Sequence, residues 1–121
     1  WEICRCIQIE TATAVKNLSE IVKNPYIDAY IFGPCDLSGS IGEINNVFGK
    51  RTTALIDEAI HILKENGKSI GVSTGACDIA TIQYWHDRGI NIISAGTDHL
   101  FLSEMAVKTL NNIQHVQQSG R

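Results

Sequence analysis

The sequence predicts an α/β fold in which four short strands alternate with helices and form a parallel sheet. Runs rich in β-branched residues alternate with longer runs that keep apolar side chains at helical spacing, and no linker separates them. Strict alternation of this kind implies parallel strands joined by right-handed crossovers. The whole chain, residues 1–121, is therefore interpreted as a single domain.

Each predicted strand ends where the residue pattern changes. The strands are placed at residues 3–9, 27–32, 69–73 and 90–95. Thr11 is the predicted N-cap of the first helix, which Asn24-Pro25 ends. A glycine-rich loop is expected from Gly33 to about Gly49, and the later helices at residues 53–65, 76–88 and 101–117, the last of them amphipathic.

Four such units fit two architectures, an open doubly wound sheet or half of a (β/α)₈ barrel. Periodicity does not distinguish them. The first element is a strand with no helix before it, which favours the barrel, because the chain then begins between two units.

Composition and charge exclude several classes of function. The net charge of −3 gives no basic surface for nucleic acid, and no apolar run approaches the roughly 20 residues of a membrane span. No signal peptide is recognised at the start, so we expect a cytosolic protein. The four cysteines, which include a C-x-C at Cys4 and Cys6, lack zinc-knuckle spacing and are interpreted as reduced, small apolar side chains.

Candidate chemistry lies at the carboxyl ends of the strands, where the active sites of parallel α/β folds are found. Glu10, Asp36 and Asp98 follow three of the strands, and Ser73-Thr74-Gly75 follows the other. Two carboxylates on neighbouring strands suit Mg²⁺ or Mn²⁺. The alternative is that Glu10 caps a helix and Asp36 forms an Asx-turn.

Several segments carry a resemblance to a known family. Ile7-Gln8-Ile9-Glu10-Thr11 with Ala14-Val15, and Gly33-Pro34-Cys35-Asp36-Leu37-Ser38 with Gly39-Ser40-Ile41-Gly42, resemble signatures of the HpcH/HpaI class II aldolases. The passage from a helix through Gly67-Lys68 into the next strand, together with Ser94-Ala95-Gly96-Thr97-Asp98, resembles the family's last two strands.

The resemblance implies strands five to eight of a phosphoenolpyruvate/pyruvate-type barrel, the C-terminal half of a (β/α)₈ TIM barrel. It implies that Glu10 and Asp36 hold a divalent metal ion, Mg²⁺ or Mn²⁺, and that Gly33, Pro34, Cys35 and Asp36 line the substrate site. The implied reaction is the metal-dependent retro-aldol cleavage of 4-hydroxy-2-oxo acids to pyruvate and an aldehyde. Backbone N–H groups of Cys35 and Asp36 would then hold the substrate carboxylate.

The catalytic residues of this chain stay unknown, because the family's histidine base and arginine belong to the first strands of its barrel. His61, His86, His99 and His115 do not match that base. We therefore expect little activity from this chain alone. A non-catalytic assembly module is the alternative function, and a receiver-like domain is disfavoured because its acidic cluster and late lysine are absent.

A four-stranded half-barrel has open edges and an uncovered inner face. We expect Ile, Val, Phe and Cys side chains on that face, and hence a homo-oligomer in which two copies complete a barrel, or a requirement for an N-terminal half. An open sheet with helices on both faces would hide the same residues without a partner.

Overall fold

The computed structural model describes residues 3–119, and within them four strands form one parallel sheet. The strands are β1 (Cys6–Ile9), β2 (Ala29–Phe32), β3 (Ser69–Thr74) and β4 (Ile92–Ala95). The helices are α1 (Ala12–Lys16), α2 (Leu18–Ile21), α3 (Pro34–Ser40), α4 (Lys50–Glu65), α5 (Ile79–Asp87) and α6 (Asp98–Ser119).

The strands lie side by side in sequence order, β1-β2-β3-β4, and every neighbouring pair is parallel. A doubly wound sheet instead reverses its strand order at a switch point. An unbroken sequential order is the pattern of consecutive units in a (β/α)₈ barrel. The predicted half-barrel is therefore confirmed, and the open doubly wound sheet is wrong.

One face of the sheet carries the hydrophobic core. Ile9, Phe32 and Val72 are in register across three strands, and all three are almost completely buried. The same core includes Leu18, Ile56, Leu63 and Trp85 from the helices. Trp85 is almost completely buried in this core. Burial of this apolar surface is the main favourable contribution to the stability of the domain.

The opposite face is largely exposed in residues 3–119, and its composition differs from the prediction. It presents Cys6, Gln8, Ile31, Gly71 and Ser73, which share a face because side chains alternate along a strand. Phe32 and Val72 point to the helical side instead. The expected row of Ile, Val and Phe is thus wrong for Val and Phe, because Phe32 and Val72 fall on the helix-facing phase of their strands.

Several helices differ from the predicted ones. α3 occupies part of the predicted glycine-rich loop, with Pro34 in its first turn. α4 begins three residues earlier than expected, after Gly49. α5 begins at Ile79 rather than Ala76, because the Asp78 carboxylate accepts a hydrogen bond from the Thr81 N–H and acts as N-cap.

The last helix, α6, was expected to pack through an apolar face, and that packing is absent. Its 22 residues include no buried residue. Apolar side chains such as Leu102 and Val116 remain largely exposed. Among residues 3–119, no helix has the length and apolarity that a membrane crossing requires.

Candidate metal centre

The first carboxylate of the candidate site follows β1 directly. Ile9 pairs with Phe32, so Glu10 and Gly33 are the next residues along two adjacent strands, and the Gly33 N–H still donates to the Ile9 carbonyl at 3.3 Å. Glu10 is half-buried. Thr11, not Glu10, caps α1, since its hydroxyl accepts from the Ala14 N–H at 3.1 Å. The Glu10 carboxylate is therefore not used as the cap of α1.

The second carboxylate is held in the first turn of α3. Gly33 is the N-cap of α3, Pro34 opens its first turn, and the Leu37 N–H closes that turn on the Gly33 carbonyl at 2.8 Å. Proline suits this position because its fixed φ is helical. The N–H that proline lacks would have no partner within the helix at this position. Asp36 therefore lies in a short helix and not in an Asx-turn.

Gly33 brings the two carboxylates to one place. A methyl group built at Gly33 would lie 3.0 Å from Oε1 of Glu10 and 3.3 Å from Oδ2 of Asp36. The two oxygens are thus no farther apart than the sum of those distances. Both oxygens flank a space that any side chain at position 33 would enter, so glycine keeps this space open. We call the space between the two carboxylates the carboxylate cradle.

A serine joins the two segments that carry the carboxylates. The Ala12 N–H donates to Oγ of Ser40 at 3.0 Å, and that hydroxyl donates to the Leu37 carbonyl at 2.7 Å. The start of α1 is thereby tied to α3, which fixes Glu10 and Asp36 relative to each other. This role of Ser40 was not predicted; its place in the second signature was the only signal.

Cys35 lies beside the cradle, and its side chain is engaged elsewhere. Its thiol donates to Oδ1 of Asn45 at 2.9 Å, while Ser38 donates to the Cys35 carbonyl at 2.7 Å. Gly33 and Pro34 are buried, whereas Cys35 and Asp36 are exposed. The four residues predicted to bind substrate are thus brought together at the end of β2.

The other predicted rim residues do not join this pair. Asp98 follows β4, two strands from β2, and hydrogen-bonds its own neighbour His99 through that residue's N–H. Thr74 accepts a hydrogen bond from the Ala76 N–H. Within residues 3–119, no three His, Cys, Asp or Glu side chains form a metal-binding group. The site therefore offers two protein carboxylates and leaves other ligand positions open.

The histidines lie where the sequence placed them, away from the cradle. His61 and His86 are exposed on α4 and α5 beside Glu65 and Asp87. His99 contacts Thr97 at 3.1 Å. No hydrogen bond joins any of these three histidines to Glu10 or Asp36.

Comparison with known proteins identifies the relatives of this chain. The family profile described as HpcH/HpaI aldolase/citrate lyase matches residues 2–104. A hydroxypyruvate/pyruvate aldolase of Roseovarius nubinhibens is 28% identical over 109 residues, which cover 90% of this chain and 42% of that protein. A 2-keto-3-deoxy-L-rhamnonate aldolase of Escherichia coli is 32% identical over 102 residues, covering 84% of this chain and 38% of that protein.

Solved structures agree with this relationship. The crystal structure of an HpcH/HpaI aldolase from Desulfitobacterium hafniense superposes with a TM-score of 0.84 at 27% identity, covering 93% of this chain and 43% of that one. The chain thus spans about two fifths of the length of these relatives. Because the profile covers most of the sequence and the fold agrees, this chain belongs to the HpcH/HpaI aldolase/citrate lyase family.

Proposed function

We propose that this chain supplies the metal-binding half of a class II aldolase that cleaves 4-hydroxy-2-oxo acids to pyruvate and an aldehyde. The observation that supports this most strongly is the approach of the Glu10 and Asp36 oxygens to the space above Gly33, at 3.0 and 3.3 Å from the same point. The relatives named above are aldolases, which supports carbon–carbon bond cleavage as the reaction class.

The two carboxylates fit a hard divalent cation. Mg²⁺ is commonly held by one or two carboxylates, and water and substrate oxygens fill its remaining positions at about 2.0–2.1 Å. A bound ion of this kind supplies Lewis-acid polarisation of a substrate carbonyl oxygen. Glu10 and Asp36 would hold it, and Ser40 would keep their two segments in register.

The substrate carboxylate has its own place in this proposal. The N–H groups of Cys35 and Asp36 lie in the first turn of α3, where backbone amides are not used by the helix itself. They are suited to donate hydrogen bonds to the carboxylate of a 2-oxo acid. Pro34 has no N–H and leaves this edge of the site apolar.

The proposal assigns proton transfer to a base outside this chain. The described histidines form no hydrogen bond with Glu10 or Asp36, and a missing general base removes about 10²–10⁴-fold in rate. We therefore expect very low retro-aldol turnover from the chain alone, measured as pyruvate released from a 4-hydroxy-2-oxo acid. Turnover at the rate of ordinary enzymes would contradict this part of the proposal.

The metal site is tested by Mn²⁺ binding, followed by electron paramagnetic resonance and calorimetry. Glu10→Gln and Asp36→Asn should each abolish measurable binding. Asp98→Asn is the matched control, because it neutralises a carboxylate at the same rim that does not contact the cradle. Equal loss in the control, or undiminished binding in either site variant, would overturn the proposal and favour a non-catalytic assembly module.

We also propose that the chain self-associates. Its sheet has one uncovered face and open edge strands, and one exposed helix presents apolar side chains, namely Phe101, Leu102, Met105, Leu110 and Ile113 of α6. Exposed apolar surface of this extent usually marks an interface. Sedimentation equilibrium at low micromolar concentration should show a dimer or larger species, and a monomer would refute this expectation.

A further inference from the structure

Two thiols lie at the opposite end of β1 from the carboxylate cradle. Cys4 precedes the strand and Cys6 begins it, and their sulfur atoms are 3.6 Å apart. Both cysteines are exposed and neither forms a disulfide. The two thiols are free, as predicted, but the expectation that they act as small apolar side chains does not explain them, because both side chains are exposed.

The distance between the two sulfur atoms allows both to bind the same metal or metalloid atom. In tetrahedral zinc sites the Zn–S bond is about 2.3 Å, which places neighbouring thiolates about 3.8 Å apart. The observed 3.6 Å needs almost no movement to reach that value. A disulfide would instead require the sulfur atoms to close to about 2.05 Å, with movement of the chain around Arg5.

Within residues 3–119, the surroundings leave the pair accessible and offer it two protein ligands. Asp28, an acidic residue beside Arg5, already accepts hydrogen bonds from the Arg5 backbone N–H and from Arg5 Nε. In the part of the chain that the structure describes, no third His, Cys, Asp or Glu completes a cluster. The pair is therefore suited to a soft ion or metalloid that two thiolates satisfy.

We propose that Cys4 and Cys6 form a dithiol site for thiophilic ions, with trivalent arsenicals and Cd²⁺ as its ligand class. Cys6 and Gln8 share the open face of the sheet, and Glu10 follows on the same strand, so β1 carries a soft sulfur site at its start and a hard oxygen site at its end. Soft thiolates select ions that carboxylates bind weakly, so the two sites discriminate between ions by chemistry.

Binding must displace the thiol protons. The hydrogen bond with Cys6, and the repulsion between two thiolates, raise the pKa of Cys4 above its ordinary value; Asp28 adds to this and Arg5 opposes it. Cation binding should therefore strengthen as the pH rises. The reaction of the two thiols with an arsenical of the form R–As=O involves no change of oxidation state. Two As–S bonds form, two S–H bonds break, and the arsenical oxygen leaves as water.

The test uses phenylarsine oxide and intact-mass spectrometry on the full chain. One phenylarsenical should add to each chain, and Cys4→Ser or Cys6→Ser should each remove the adduct. A Cys35→Ser/Cys77→Ser double variant is the matched control, since it keeps the pair and removes the other two thiols, and it should retain the adduct. An adduct that survives either single substitution, or its loss in the double variant, would overturn the proposal.

A second measurement separates this site from the carboxylate cradle. Cd²⁺ should block the arsenical in the unmodified chain and in Glu10→Gln to the same degree. Weaker blocking in Glu10→Gln would show that Cd²⁺ acts through the cradle and would contradict the assignment. Circular dichroism of each serine variant should match the unmodified chain, because both cysteines are exposed.

Discussion

The two faces of the sheet differ in solvent exposure and in the kind of side chain that they carry. On the helix-covered face, Ile9, Tyr30 and Phe32 are buried to within 1% of complete exclusion from solvent. On the open face, Gln8, Ser73 and Ser94 are exposed, and Gly71 has no side chain at all. The covered face therefore supplies most of the stability, and the open face is free to carry polar and ligand-binding groups.

The largest expected effect compares two neighbours on β2. Phe32→Ala on the covered face should cost about 3–5 kcal/mol of unfolding free energy, because it leaves a cavity in the core. Ile31→Ala on the open face should cost clearly less, since Ile31 is only half-buried. Chemical denaturation of both variants measures the difference. Equal losses would mean that the open face is covered in solution.

A smaller effect concerns close packing within the open face. A methyl group at Gly71 would meet Cδ1 of Ile31 at a distance no real contact allows, and would lie 3.3 Å from the Ile92 carbonyl oxygen. Gly71→Ala should therefore cost about 1–3 kcal/mol. Ile31→Val removes Cδ1, so the double variant should recover part of this cost. A double-mutant cycle with no coupling would show that Ile31 is not the obstacle.

A third substitution should separate ion binding from stability. Gly33→Ala would place a methyl group 3.0 Å from Glu10 and 3.3 Å from Asp36. Mn²⁺ affinity should fall at least about tenfold, which corresponds to 1.4 kcal/mol. The unfolding free energy should change by less than about 1 kcal/mol, because alanine also restricts the unfolded chain.

Gly39→Ala, within α3, is the control for that substitution. Its methyl group would make only ordinary contacts with Ile44, at 3.7 Å. It should leave Mn²⁺ affinity unchanged. If Gly33→Ala also leaves it unchanged, the cradle above Gly33 is not the ion site.

The smallest effect lies outside both faces, at the start of α5. The hydrogen bond from the Thr81 N–H holds the pKa of Asp78 below its ordinary value of 3.8. A lowered pKa means that the carboxylate stabilises the fold above that value, and that this contribution is lost as the pH falls through the folded-state pKa. The difference in melting temperature between Asp78→Ala and the unmodified chain should thus shrink below about pH 4. A constant difference would assign the effect to helix propensity.

The comparison of the two faces also shows what the sequence could predict. The four strands and their parallel arrangement followed from alternation, and Glu10 and Asp36 followed from the residues after two strand ends. α3 was missed because Gly33-Pro34 was interpreted only as the end of a strand. Proline is equally common in the first turn of a helix, which is how it acts here.

Other features depend on tertiary structure that no local pattern contains. The meeting of Glu10 and Asp36 over Gly33 requires the register that pairs Ile9 with Phe32. The strand phase was assigned incorrectly for Phe32 and Val72, because short apolar runs do not reveal which face is covered. The exposure of α6 was also unexpected, since an amphipathic pattern predicts that the apolar side chains of a helix are packed.

The sequential strand order has a consequence for how the chain acquires its structure. Cys6 pairs with Ala29 and Gly71 with Ile92, whereas Ala29 pairs with Ser69 across a longer connection. Each doubling of loop length adds about 0.6 kcal/mol of closure entropy. The first two strands and the last two strands should therefore associate as separate early units, and the joining of β2 to β3 should be the later, slower step.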